Sequence, residues 1–243
     1  MKWRFIYRGM KARYRDQKIE LKTLINALKP DDIAVDVGAN KGSYLWSLSR
    51  AVPLGKVIAF EPQPLLVQYL NQACDVSGLR NVEIVNMGVS ERQALLTLAV
   101  PGGGETSPGA SFEEAVKQRE TFLSYEVKTI SLDEYFKHTH FHVGAIKIDV
   151  EGHELAVIRG AKGVLQTHRP VVVCEAEQRH MSKGSVKDLF ELMIELGYEG
   201  HFVNGGRLMP VSEFIPDLHQ SEVGDRYWDH PLYCNNFIFQ AKQ

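Results

Sequence analysis

Asp36-Val37-Gly38-Ala39-Asn40-Lys41-Gly42 is the stretch whose reading decides the fold. Ahead of it, Ile33, Ala34, Val35 and Val37 form an apolar, β-branched run of strand length, the pattern of a strand buried on both faces. Behind it, Ser43 stands where a cap would open a helix carrying Leu45, Trp46, Leu48, Ala51 and Val52. The stretch reads as a strand-to-helix turn of an α/β protein.

Gly38 and Gly42 admit positive φ and close approach, and the amides opening the helix are expected to point into the crevice beyond the strand. Open α/β sheets bind nucleotides there. A dinucleotide turn wants Gly-x-Gly-x-x-Gly, but Asn40 stands at the second glycine and Ser43 at the third. The pattern here is Asp-x-Gly-x-Asn-x-Gly. A carboxylate at Asp36 repels a pyrophosphate and attracts the cationic amino acid end of S-adenosylmethionine (SAM). The competing reading is a glycine turn needed only for packing.

Later strands bring more polar residues to the same sheet edge. Val57-Ile58-Ala59-Phe60 ends at Glu61, about 20 residues past the glycine turn, where such folds place a carboxylate on ribose hydroxyls. Val82-Glu83-Ile84-Val85-Asn86 runs into Met87 and Gly88, candidates to contact an adenine. Ala145-Ile146-Lys147-Ile148-Asp149-Val150 delivers Asp149, Glu151, His153 and Glu154 around Gly152. Such a cluster of ionisable groups at one strand tip is a functional-site candidate. Lys147, in mid-strand, is expected to pair with a nearby carboxylate. Val171-Val172-Val173-Cys174 follows with Glu175 and Glu177 at its tip, and Asn236-Phe237-Ile238-Phe239 closes the sheet. Asn204-Gly205 reads as a two-residue hairpin turn.

Residues 94 to 130 interrupt this alternation. Residues 95 to 100 and 126 to 132 read as extended, Pro101-Gly102-Gly103-Gly104 as a flexible loop, and Ser111-Phe112-Glu113-Glu114 as a capping box opening a short helix. The segment 101–120 is therefore a lid or a hairpin insertion beside the crevice. His138, His140 and His142 alternate before the next strand without an evident fourth metal ligand, so solvent-facing histidines are the better reading.

The 243 residues suit one α/β domain, 31–243, preceded by a basic helical segment, 1–30. Net charge is −2, which argues against nucleic acid as a partner of the whole surface. Residues 1 to 22 nonetheless carry eight basic residues against Asp16 and Glu20, a net +6 that leaves −8 for the remainder. Trp3, Phe5, Ile6, Tyr7, Met10 and Tyr14 interleave with those charges, so residues 1–18 suit peripheral contact with an anionic membrane. The plainer reading is a helix packed on the domain or on a second subunit of a homo-oligomer. Three separated cysteines, no apolar run near the roughly 18 residues of a membrane span and no secretory signal point to a cytoplasmic protein.

Asp36-Val37-Gly38-Ala39-Asn40-Lys41-Gly42, Phe60-Glu61-Pro62, Ser131-Leu132-Asp133, Ile146-Lys147-Ile148-Asp149-Val150-Glu151-Gly152-His153-Glu154 and Glu175 together resemble the FkbM family of SAM-dependent methyltransferases. The resemblance covers roughly residues 31 to 177. It implies a Rossmann-like class I methyltransferase fold, with a seven-stranded, mostly parallel sheet, the last strand antiparallel, and helices on both faces. It implies O-methylation of a hydroxyl on a sugar, glycan or secondary metabolite, and a SAM pocket built from Asp36, Gly38, Asn40, Gly42, Glu61 and Asp149, to which the reading of the residues adds Ala39, Met87 and Gly88. His153, oriented by Asp149 or Glu151, is the leading candidate for the general base. Mg²⁺ held by those acids with Glu175 or Glu177 is a less favoured mechanism, and no metal site is assigned. The rival readings are a nicotinamide oxidoreductase on the shared fold and a SAM-binding adaptor without catalysis.

Overall fold

The computed structural model describes residues 1–102, 104–114 and 122–242. In chain order its strands are β1 (Ile33–Val37), β2 (Lys56–Phe60), β3 (Val82–Val85), β4 (Gly88–Val89), β5 (Ala94–Pro101), β6 (Phe122–Ile130), β7 (Val143–Asp149), β8 (Val171–Glu175), β9 (Tyr198–Asn204), β10 (Arg207–Pro210) and β11 (Asn236–Ala241). The helices are α1 (Lys2–Lys11), α2 (Lys18–Ala27), α3 (Leu45–Ala51), α4 (Pro64–Ser77), α5 (Leu132–Tyr135), α6 (Glu154–Arg159), α7 (Lys162–His168), α8 (Val186–Glu195) and α9 (Pro216–His219). A π-helical turn, Ala12–Asp16, joins α1 to α2.

Every residue of β1 is buried, because the strand has parallel neighbours, β2 and β7, on both edges and helices over both faces. The main sheet runs β10-β9-β11-β8-β7-β1-β2-β3. As expected, β11 is antiparallel to both of its neighbours. The sheet has eight strands rather than seven. The extra one, β10, is the second arm of the hairpin, and Asn204 pairs with Arg207, so the turn residues are Gly205 and Gly206 at φ 55° and 77°. A two-residue turn with positive φ at both positions suits a glycine pair, which moves the turn one residue beyond Asn204-Gly205.

Side chains alternate across β1. Ile33, Val35 and Val37 join the core beneath α6, α7 and α8, whereas Ala34 joins the core beneath α1 to α4, with Phe5, Leu21, Leu24, Leu45, Leu48 and Leu70. The N-terminal segment thus packs into the same core as the sheet. By the same alternation Asp36 on β1, and Lys147 and Asp149 on β7, share the face that α1 to α4 cover.

Two further local expectations are corrected. Ser43 caps nothing: α3 opens at Leu45, after Tyr44, which makes no side-chain cap bond. Leu132 belongs to α5, not to the extended piece, because Ser131 accepts the Glu134 amide at 3.2 Å and starts a helix. The excursion contains a second sheet, β4-β6-β5, in which β5 and β6 pair antiparallel along their length. The short helix expected to open at Ser111 falls largely outside the described residues. Among the described residues, no helix is long and apolar enough to cross a membrane.

Candidate active site

The crevice is made by two strand tips in contact. Gly38 has φ +81°, and a Cβ there would lie 1.8 Å from the Asp149 carbonyl oxygen. Only glycine lets β1 end against β7. Gly42 serves packing too, since its missing Cβ leaves room for Phe5 and Leu70. Asn40 and Glu151, one beyond each tip, are non-glycine residues at φ 46° and 52°. Holding such a conformation costs on the order of 1 kcal/mol or more, and strained residues of this kind cluster at functional sites.

Four of the turn amides are bonded within the protein. Gly38 and Ala39 both donate to the Phe60 carbonyl at 3.0 Å, and Gly42 donates to Ala39 at 2.7 Å. The Asn40 amide donates to Glu61 Oε2 at 2.7 Å, while the Gln63 amide donates to Glu61 Oε1 at 2.9 Å. These four amides therefore serve the protein's own acceptors rather than a phosphate. Both Glu61 oxygens are fixed, each with a lone pair to spare for a hydroxyl. Burial pushes this carboxyl up to about 7, against the two amide bonds that favour its ionised form.

Beside Glu61 lies an apolar slot lined by Val37, Phe60, Met87, Gly88, Leu98 and Phe112. Residues 104–112 cover it. The Gln63 side-chain amide bonds the Ser107 backbone both ways, at 3.0 and 2.9 Å. Ser111 Oγ donates to the Glu151 carbonyl at 2.6 Å. The Phe112 ring sits where a Gly88 Cβ would come within 2.6 Å of it, so glycine at 88 makes room for the aromatic cover.

Across Gly38 and Asn40 the slot adjoins a polar recess lined by Asp36, Tyr44, Lys147 and Asp149. Lys147 Nζ lies 3.3 Å from Asp149 Oδ2 and 5.2 Å from the centre of the Tyr44 ring. Burial pulls the ammonium down, but Asp149, Glu175 and Asp36 outweigh it and hold Lys147 above its ordinary value. Burial raises Asp36 to about 7 despite Lys147. Asn40 Oδ1 and the Tyr44 hydroxyl are buried without a hydrogen-bond partner among the described residues. Each such orphan costs roughly 1–3 kcal/mol, and both face this recess. Slot and recess together offer an apolar face beside Glu61 and, next to it, carboxylates, cations and these two unpartnered polar atoms.

The Asp149-to-Glu154 cluster divides. Asp149 and Glu151 line the crevice. Glu151 Oε2 is 2.7 Å from His180 Nδ1, an approach that glycine at 152 permits, since a Cβ there would lie 2.2 Å from the His180 carbonyl. Burial holds Glu151 above the usual carboxylate range, against the His180 bond. Glu154 points inward, fully buried and raised to about 8 by that burial. His153 lies behind Phe112, its ring centre 5.2 Å away. Its Nε2 is 2.9 Å from Ser90 Oγ, and its Nδ1 is 2.8 Å from Glu113 Oε1. The partner of His153 is thus Glu113, not Asp149 or Glu151.

Glu175 accepts from Asn235 at 2.8 Å, and Glu177 accepts from Arg179 at 2.6 Å and from the Tyr233 hydroxyl. Among the described residues, no group of three or more His, Cys, Asp or Glu is placed to hold a metal ion. His142 lies 3.1 Å from Asp32, and its Nε2 donates to the His168 carbonyl at 2.8 Å. Gln63, Tyr44, Phe112, Glu113 and His180 escaped the sequence reading. Only Phe112 and Glu113 carried a signal, as part of the excursion.

A family model for the methyltransferase FkbM domain matches residues 36–199. Methyltransferase sdnD of Sordaria araneosa is 30% identical over 159 residues, 55% of this chain and 61% of its own. Hexuronic acid methyltransferase AglP of Haloferax volcanii is 30% identical over 160 residues, 65% of this chain and 62% of its own. The chain thus spans less than two thirds of the length of these two relatives. SMU.1697c of Streptococcus mutans, solved in complex with SAH, shares the fold at a TM-score of 0.53 and 11% identity, over 93% of this chain and 97% of that one. From Asp36 at the end of β1 to Glu199 in β9, the chain belongs to the FkbM methyltransferase family.

Proposed function

We propose that this protein is a SAM-dependent O-methyltransferase whose acceptor is a hydroxyl of a sugar or related small molecule. The observation that carries the reading is that Asp36 and Asp149, from neighbouring strand tips, face one recess that opens onto the apolar slot beside Glu61. Phe112 and Met87 would hold the adenine, Glu61 the ribose hydroxyls, and Asp36, Asp149, Asn40 and Tyr44 the methionyl end. When bound, the cofactor supplies a methyl group on a sulfonium, whose positive charge is lost on transfer.

The chain's own contribution is alignment, exclusion of water and removal of the acceptor's proton. Residues 104–112 close the slot from above. Glu151 is the best-supported general base, because it lines the crevice, its proton affinity is raised by burial, and His180 fixes its carboxylate. His153 is read as a positioning residue that ties Glu113 and the cover to Ser90. The name of AglP, a hexuronic acid methyltransferase, supports a sugar as acceptor.

Calorimetric titration with SAM and with NAD, followed by transfer of labelled methyl to a panel of uronic acids and neutral sugars, tests the reading. Binding of SAM but not NAD, and label on a sugar oxygen, are expected. No SAM binding at millimolar concentration overturns it, and binding without transfer to any hydroxyl reduces the protein to a SAM-binding adaptor.

A further inference from the structure

We propose that the outward face of α1 is a docking surface for an anionic lipid bilayer. The helix carries two apolar stripes on opposite sides. The inward one, Phe5 and Gly9 continued by Ala12, is buried against α3 and α4, with Gly9 against Trp46 and Phe5 against Gly42. A helix packed on a domain needs only that one. The outward stripe, Trp3, Tyr7 and Met10 continued by Tyr14, leaves these side chains 78%, 66%, 44% and 62% exposed. Four large side chains at helical spacing form a continuous ridge, unlike scattered surface hydrophobics.

The flanks of the ridge identify what covers it. Lys2, Arg4, Lys11, Arg13, Arg15 and Lys18 border it, and Asp16, the acid between them in sequence, is held by Lys11 at 3.1 Å and by Arg15 at 2.7 Å, while Glu105 shares a recess with Arg4 and Arg8 on the inner side. Residues 1 to 22 sum to +6 and the remainder to −8, so the molecule is a strong charge dipole with α1 at its positive end. Such a dipole turns α1 toward an anionic surface and the rest away from it. Trp and Tyr suit the headgroup level, with Lys and Arg reaching the phosphates around them. A second copy of the chain would bring two positive ridges together, which charge opposes.

The surface also lies close to the crevice. On its inner side, Arg8 donates to the Lys41 carbonyl at 3.0 Å and to the Tyr69 hydroxyl at 3.1 Å. Lys41 directly follows Asn40 of the turn. Docking through α1 would therefore bring the crevice close to the bilayer surface. The inference stands whether or not the crevice transfers methyl groups.

The test is sedimentation of the full chain with phosphatidylcholine vesicles, with or without about 30% phosphatidylglycerol, at about 50 mM and about 500 mM salt. Binding only to the anionic vesicles, and only at low salt, is expected. Trp3→Ala with Tyr7→Ala, and separately Lys2→Glu with Arg4→Glu, should each lower partitioning by about tenfold or more. All four side chains are exposed, so an unchanged melting temperature should accompany the loss. Absence of binding to anionic vesicles at low salt, or variants that bind as the parent does, overturns the proposal. So does a dimer that the Trp3 and Tyr7 variant dissolves, since a second copy would then own the ridge.

Discussion

The backbone carbonyl of Asp149 occupies the place where a Gly38 side chain would begin, 1.8 Å from its would-be Cβ. The crevice exists because these two residues touch through main chain alone. Gly38→Ala should lower stability by more than ~3 kcal/mol, since it combines a backbone clash with a φ of +81°. In a chain of this size that is a fall of roughly 6–12 °C in melting temperature, readable by calorimetry. A variant melting within a degree of the parent would mean that the tips are free to separate.

Stability without ligand should fall as pH rises from 5 to 8.5. Burial raises Asp36 and Glu61 to about 7 and Glu154 to about 8 from ordinary values near 4. Between those values the fold keeps protons that the unfolded chain has already released. Their contribution is complete below the unfolded values and disappears as pH climbs through 7 to 8. Asp36→Asn should flatten the profile of melting temperature against pH.

Affinity for SAM should run the other way. A cationic tail wants Asp36 ionised, so the dissociation constant is expected to tighten as pH rises through about 7. Asp36→Asn should weaken binding by about tenfold or more and reduce the pH dependence to what Glu61, also raised to about 7, contributes. Calorimetric titration at pH 6 and 8 checks both. An affinity independent of pH in the parent would detach Asp36 from the ligand.

Glu151→Gln and His153→Ala separate the two candidate bases. With Glu151 as base, Glu151→Gln should reduce kcat by about a hundredfold or more, with SAM affinity within a factor of about two. His153→Ala should chiefly raise KM by loosening the Glu113 contact, leaving the pH profile of kcat in place. The opposite pattern would return the role to His153.

Gln63 holds the cover through a two-point bond to Ser107. Gln63→Ala should speed proteolytic cleavage within residues 104–112 and weaken SAM binding several-fold, roughly the worth of one or two hydrogen bonds. Ligand should slow the cleavage in the parent more than in the variant.

What was legible in the sequence was local. The apolar run before Asp36, the glycine at 38 and the acid after Phe60 are each a few residues long, and each sits where its pattern places it. Lys147 was expected to be paired because a buried ammonium in mid-strand has no other solution, and Asp149 answers it. What escaped depends on encounters between distant segments. Glu113 meets His153 across 40 positions, and Gln63 meets Ser107 across 44, with nothing in either short pattern to announce the other. Ser43 failed as a cap because the chain continues as a turn to Tyr44 before α3 forms. Nor can sequence reveal that the Phe60 carbonyl and Glu61 take up amides of the glycine turn itself.

If the crevice holds SAM as proposed, that internal bonding bears on which other adenosine compounds would fit it. ATP and NAD share adenine and ribose with SAM, so an apolar slot and a ribose carboxylate alone would take all three. Here the Gly38, Ala39, Asn40 and Gly42 amides are already bonded from within, and an ionised Asp36 adds repulsion. A turn that spends its own amides on its own carbonyl and carboxylate would favour a cationic adenosine compound over a phosphorylated one.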